Sequence, residues 1–354
     1  MGGSVSSLQG LLGTLVQDSA GARQRLTTLT TQAGDGKIAE DYAGLAAGGE
    51  TSLSLAPAVA HNQAWQDNIG AAQGRMAVTQ TALSQVSRIA SDFYARTDTL
   101  NGLDSGTIDI VAVAARDALR QVASLLNSRD GDVYVFAGQD SGNPPVPNPD
   151  GIGASGFASG IAAAVGNLGI AGAAATAAAT LAVAGSNASG TTPFSAALAS
   201  GARPTVQVGD GARAPVGILA SANADVVSAG ASTTGSYMRD VMRALATLGA
   251  LSGAQASASG FGALVGDTRS SLGGAISALN QDAGVLGKRK TALDATKTGL
   301  ADARVALEAQ VSGAENVDMV ATLSALARTQ TQLQASYQLI AGLQSLSLTK
   351  FLNA

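Results

Sequence analysis

A single histidine and no cysteine set narrow limits on what chemistry this chain can perform. His61 would have to be the base of any Ser-His-Asp relay, yet no G-x-S-x-G elbow accompanies it, and it reads as a helix-surface residue. One histidine without thiolates is too few for a zinc site, which takes three or four His, Cys or carboxylate ligands. Gly151-Ile152-Gly153-Ala154-Ser155-Gly156 has the G-x-G-x-x-G spacing that lets amides face a pyrophosphate. A proline-rich stretch precedes it where a strand is needed, and no acidic residue follows within fifty positions. It reads as a flexible glycine-rich loop. Gly287-Lys288 lacks the upstream glycine and the following Ser or Thr of a phosphate-binding loop, so it reads as a solvated basic helix face. Paired carboxylates such as Glu40-Asp41 exist, with no cleft that the sequence can place around them. No catalytic, cofactor-binding or metal-ligating residue is assigned, and the chain reads as a non-enzyme that uses no cofactor.

The composition points from chemistry towards packing. Of the 354 residues, 46% are hydrophobic but only 3% aromatic, and alanine supplies much of the apolar share. Each buried alanine removes little area from water, so such a chain suits long packed helices better than a bulky core. A formal net charge of −4 offers nothing basic to nucleic acid or to anionic lipid. The N-terminus lacks the basic, apolar and small-residue order of a cleaved signal peptide, so export, if it occurs, is expected without signal cleavage.

The elements that would position side chains are mostly seamed helices. From about Ser4 to Ala33, the residues Leu8, Leu12, Leu15, Ser19, Ala22, Leu26, Leu29 and Ala33 alternate steps of four and three, a coiled-coil seam. Gly34-Asp35-Gly36 ends it. A second helix is expected from about Ala58, just after Pro57, to Leu100. Its seam runs through Trp65, Ile69, Ala72, Met76, Thr79, Leu83, Val86, Ala90, Phe93, Thr97 and Leu100, and its length would be about 60 Å. A third, about Ile108 to Leu126, carries Val111, Ala115, Leu119, Val122 and Leu126.

The period then changes. Asp130-Gly131 signals a turn, and Val133-Tyr134-Val135-Phe136 predicts a short strand. Asn143 to Asp150 contains four of the eight prolines. Residues 151–202 carry no charge and are rich in Ala, Gly, Ser and Thr. They hold too little Leu, Ile and Phe for a membrane span and read as a solvent-facing domain or a small-residue helix. Arg203 to Ala220 predicts a hairpin turning at Gly209-Asp210-Gly211, with Val216 to Leu219 returning. Helices resume at about Ser236 to Leu251 and about Phe261 to Val311. A last helix opens near Asp318, whose carboxylate suits a helix N-terminus, and is seamed by Leu323, Leu326, Gln330, Leu333, Tyr337 and Ile340.

The expected fold is mainly α: long antiparallel coiled-coil-like helices from both chain ends, with an inserted small-residue, partly β middle domain. The expected division is 1–140, 141–235 and 236–354. Thin seams at both ends favour assembly over solitary folding. The assembly residues are taken as Leu8, Leu12, Leu15, Leu26 and Leu29 against Leu323, Leu326, Leu333, Tyr337, Ile340 and Leu346, in the same and adjacent subunits.

Three stretches resemble the bacterial flagellin superfamily. The first is Gln32 to Ala46, with Gly36-Lys37, the acidic Glu40-Asp41 and Ala43-Gly44-Leu45-Ala46. The second is Leu126 to Asp140, with Pro144-Pro145 after it, and it is most similar to the hook-associated, hook–filament junction branch (hook-associated protein 3). The third runs from Asn316-Val317-Asp318 through Thr329 to Tyr337 to Leu346-Ser347-Leu348, and it is the most specific. The resemblance covers about 1–140 and 236–354. It implies an extracellular structural subunit of the flagellum whose terminal helices form an inner layer and whose middle domain faces outwards. It also implies type III export without signal cleavage, an export chaperone on the C-terminal helix, and partnership with itself and other axial proteins. A filament flagellin is the neighbouring reading. A secreted coiled-coil adhesin or tip protein is the reading from another class.

Overall fold

The computed structural model describes residues 3–100, 104–223 and 225–352, except for the side chains of residues 3–9, 11, 12, 47 and 344–352. It is mainly helical: α1 (Gly3–Asp35), α2 (Ala47–Thr99), α3 (Ser105–Leu126), α4 (Gly156–Gly166), α5 (Leu168–Gly185), α6 (Tyr237–Ala250), α7 (Phe261–Glu315) and α8 (Met319–Leu352). Two antiparallel two-stranded ribbons interrupt them, β1 (Arg129–Asp130) with β2 (Val133–Tyr134), and β3 (Thr205–Gln207) with β4 (Arg213–Pro215). The chain divides into two compact units. One holds residues 1–63 and 301–354, and the other holds 64–300.

The second unit carries the hydrophobic core. Every expected seam residue of α2 from Ile69 to Leu100 is buried, including Met76, Leu83 and Phe93. The same is true of Val111, Ala115, Leu119, Val122 and Leu126 on α3. The carboxylate of Asp104 opens α3 by accepting from the Thr107 amide at 3.0 Å and its hydroxyl at 2.8 Å, and these bonds hold its carboxyl below the usual range. α2 and α7 run antiparallel and are cross-linked along their length. Gln73 donates to Asp294 at 2.6 Å, Ser87 to Asn280 at 3.0 Å, and Arg269 to the Tyr94 carbonyl at 3.2 Å while stacking over its ring.

α6 is buried from Tyr237 to Gly249, its arginines included. Arg239 donates to the Ala184 and Ser186 carbonyls at the end of α5, to the Ser221 carbonyl at 2.8 Å and to Asn187, and it lies over the Phe194 ring. Arg243 reaches Ser232, Ala177 and Asp267. The uncharged segment is thus anchored by charges from outside it, and α5 lays Thr176, Thr180 and Ala184 on the buried side. By length and composition α5 is the one helix among the described residues apolar enough to cross a membrane, but its backbone breaks at Gly172 (φ 79°).

Several expectations need correction. α2 begins at Ala47, and Pro57 lies inside it. Pro57 is exposed, so the carbonyl its ring displaces faces water, and the helix continues through it. The strand expected over 133–136 is only Val133–Tyr134, paired to Arg129–Asp130 around Gly131 (φ 58°); Val135 and Phe136 leave the ribbon and bury. The second hairpin does turn at 209–211, but its returning strand is Arg213–Pro215 rather than Val216 to Leu219, which bury beyond it. The 151–156 glycine run is an ordered corner: a 3-10 turn leads to Ser155, whose hydroxyl caps α4. A side chain at Gly156 would collide with the Gly190 carbonyl, so the glycine spacing serves close packing, with no strand before it. Gly287-Lys288 lies within α7.

Candidate assembly surface

The first unit is built around α1 packed along α8. The chain between α1 and α2 fixes their direction. Ile38 donates to the Glu315 carbonyl at 2.7 Å, and Val317 donates back to Gly36 at 3.0 Å, an antiparallel bridge that ties the end of α1 to the start of α8. Gly36 has φ 72°, a conformation that favours glycine, so the Gly34-Asp35-Gly36 break is also where the chain turns. Lys37 pairs with Glu315 at 3.6 Å, the Ser52 hydroxyl donates to the same carboxylate, and Gln32 caps the Ile38 carbonyl at 2.8 Å. Asp318 then starts α8 by accepting from the Val320 and Ala321 amides at 2.9 and 3.0 Å. Arg304 on α7 donates to Gln63 on α2 and pairs with Glu308.

The seam residues fall on this pair as follows. On α1, Leu15, Ala22, Leu26, Leu29 and Ala33 are half-buried and Ser19 is buried, while the residues between them are mostly exposed. On α8, Leu326, Leu333 and Ile340 are half-buried on one stripe. That stripe also contains Thr322, Thr329 and Ser336, which an apolar reading of the heptad passed over; Thr329 bonds back to the Ala325 carbonyl at 2.8 Å, so its hydroxyl is satisfied there. Leu323 and Tyr337 do not join it: they are 49% and 44% exposed on a second stripe with Val320. The side chains of Leu8, Leu12 and Leu346 lie outside the described residues.

The decisive feature is how little this pair buries. Among the described residues of the first unit, Leu45 is the one buried hydrophobic side chain. The change occurs within single helices: buried apolar positions on α2 begin at Ile69, and on α7 they end at Leu293. Val16, Leu53, Val305, Val320 and Leu339 are exposed. A helix pair stabilised only by half-buried leucines gains a small part of what a closed core supplies, while isolated helices in water are marginal. Contiguous exposed apolar stripes mark surfaces that other protein covers. Of the chemistry-bearing residues, His61 is exposed on α2 and Glu40-Asp41 sit on the exposed 39–46 turn.

Long seamed helices, with an under-filled pair formed by α1 and α8, are the features the fold offers for comparison with known proteins. Residues 270–352, most of α7 and α8, match the family model described as the bacterial flagellin C-terminal helical region. No curated protein matches the chain. The match supports the flagellin superfamily, a family of structural proteins, and in general terms a flagellar structural subunit.

Proposed function

We infer that this chain is an axial subunit of the bacterial flagellum, and specifically a hook–filament junction protein. One observation carries the assembly reading. The α1–α8 unit leaves its apolar residues half-buried or exposed, with Leu45 alone fully covered among those described, so it gains most of its burial from neighbouring copies. The assembly residues are Leu15, Leu26, Leu29, Leu326, Leu333 and Ile340 on the facing stripes, Leu323 and Tyr337 on the outward stripe, and Leu8, Leu12 and Leu346 towards the chain ends. The division into 1–140, 141–235 and 236–354 then has a role for each part: the two end segments assemble, and the middle segment faces outwards. Before assembly a flagellar export chaperone covers the C-terminal seam, and export proceeds without signal cleavage.

The junction reading rests on the segment after α3. Its short ribbon, the buried Val135-Phe136 and the Pro144-Pro145 corner are features of the stretch that resembles the junction branch. The filament-flagellin reading has the family match at the C-terminal region in its favour. Immunogold electron microscopy of flagella from cells carrying a tag in the 186–192 loop separates them. Label confined to the hook–filament boundary is the expected result. Label along the whole filament makes the chain a flagellin, and unlabelled flagella refute both.

A further inference from the structure

A cleft of about 320 Å³ opens in the second unit between the segment 133–141, the β3–β4 hairpin and the outer side of α2. Its walls are held by backbone bonds. Tyr134 donates to the Ser141 carbonyl at 2.9 Å, Val216 to Pro204 at 3.0 Å, and Ala220 to Phe136 at 3.0 Å, which fastens one wall to the other. Gly138 (φ 67°) and Gly217 lie where a side chain would strike Leu219 and Pro204 respectively, so the walls meet as closely as backbone allows. The cleft is therefore formed before any ligand arrives, which lowers the ordering cost of binding.

Its lining has one electrical sign. Arg75 comes from α2 and Arg213 from β4, and no carboxylate lines the cleft. Several other arginines of this unit are neutralised: Arg203 and Arg289 share Asp225, Arg269 meets Asp98, and Arg243 meets Asp267. Among the described residues, neither Arg75 nor Arg213 has a carboxylate within ion-pair distance. The one side-chain bond of Arg75 is a long contact to the Ala71 carbonyl at 3.4 Å. Gln139, Ser141 and Thr205 add amide and hydroxyl groups, and Val133, Pro204 and Val216 supply apolar wall. Two guanidiniums recognise an oxyanion, amides and hydroxyls recognise a polyol, and apolar wall suits the C–H face of a sugar ring. The volume lies at the small end of ligand pockets, which run from roughly 300 Å³ upward.

We propose that this cleft binds an acidic monosaccharide of the hexuronate class, with Arg75 and Arg213 holding its carboxylate. The site belongs to the second unit, and the proposal does not depend on the flagellar reading.

The test uses the full chain, with glucuronate as the probe, followed by saturation-transfer NMR and calorimetry. Saturable binding of about millimolar Kd is expected for a ligand this small. Neutral glucose should not bind. Arg75→Gln and Arg213→Gln should each weaken glucuronate roughly tenfold or more, the loss expected for a charge-assisted contact. Arg120→Gln on α3, whose partner Asp117 lies outside the cleft, should change nothing. Should Arg75→Gln melt early because α2 is part of the core, Arg213→Gln on the exposed ribbon decides alone. The proposal is overturned if glucuronate does not saturate, if Arg213→Gln binds as well as the parent chain, or if glucose binds equally. Inorganic phosphate binding as tightly as glucuronate also overturns it, since the cleft would then be a plain anion trap.

Discussion

Replacing Leu333 with aspartate separates assembly from folding. Leu333 sits at the middle of the α8 stripe and is half-buried in the isolated chain. A fully buried leucine is worth about 1.5–3 kcal/mol, so its loss costs the single subunit about 1 kcal/mol. The cooperative core lies in the other unit, and Leu333 contributes nothing to it. The main thermal transition of Leu333→Asp, followed by circular dichroism, should therefore coincide with that of the parent. In an assembly whose neighbours complete the burial of this stripe, the same carboxylate would be enclosed without a partner. That costs about 4 kcal/mol, close to a thousandfold in the concentration needed to polymerise. Sedimentation of purified chains over a concentration series reads this directly, and in cells the variant should be secreted but absent from sheared flagella. Normal structures at the parent's critical concentration would refute the claim that this stripe is an assembly surface.

The other predictions concern the folded chain itself. Leu83→Ala, at a fully buried α2 position, should lower stability by about 2–5 kcal/mol, seen as a lower urea midpoint. Gly156→Ala should cost about 1–3 kcal/mol, because its new methyl meets the Gly190 carbonyl rather than a side chain that can move; an unchanged melting temperature would count against the packed corner. Arg239→Met should cost about 3 kcal/mol or more, because it leaves the Ala184, Ser186 and Ser221 carbonyls without donors, and exchange protection should drop first at the end of α5. Burial pushes the Asp225 carboxyl up, but hydrogen bonds from Arg289 and Arg203 outweigh it and the net shift is downward. Its stabilising contribution is thus complete above about pH 4 and is lost as pH falls through the depressed value, so Asp225→Asn should flatten the acid limb of an unfolding-versus-pH curve.

The parts of the fold legible in the sequence are those where one physical signal decides. The α2 seam could be read because a helix facing a core repeats apolar residues at three and four, and each one from Ile69 to Leu100 is buried. The α8 seam was legible only in part. On a helix flanked on one side, small polar residues serve as well as leucine, so Thr322, Thr329 and Ser336 share the covered stripe while Leu323 and Tyr337 turn away. Pro57 reads as a stop because local rules say so, yet on an exposed face its missing bond is left to water. The helices α4 and α5 gave no period at all, since alanine and glycine on every side erase the contrast between faces. The least legible feature was α6. An Arg at 239 and another at 243 suggest a solvated stripe, and nothing local says that the carbonyls and hydroxyls waiting for them belong to residues 177–187, 221 and 232.

On the proposed function, the two units would divide two tasks that conflict within one surface. A subunit that must remain single until it reaches its place cannot present a complete hydrophobic face, and one that must then hold in a polymer cannot lack one. In the proposed assembly the two demands are met by how far each seam is covered within the chain. From Ile69 to Leu293 the seams, which carry Ala72, Thr79, Ala90 and Thr97 beside Ile69, Met76, Leu83 and Phe93, bury fully and close the core within the chain. On α1 and α8 the described leucines of the heptads are only half-buried, and the pair holds its direction through the Gly36–Val317 bridge and the Asp318 cap. On the proposed function, partial burial inside one chain would leave the leucines available to the next. By the same reading, an α1–α8 pair that closed its own stripes would satisfy itself before a neighbouring copy could compete for them.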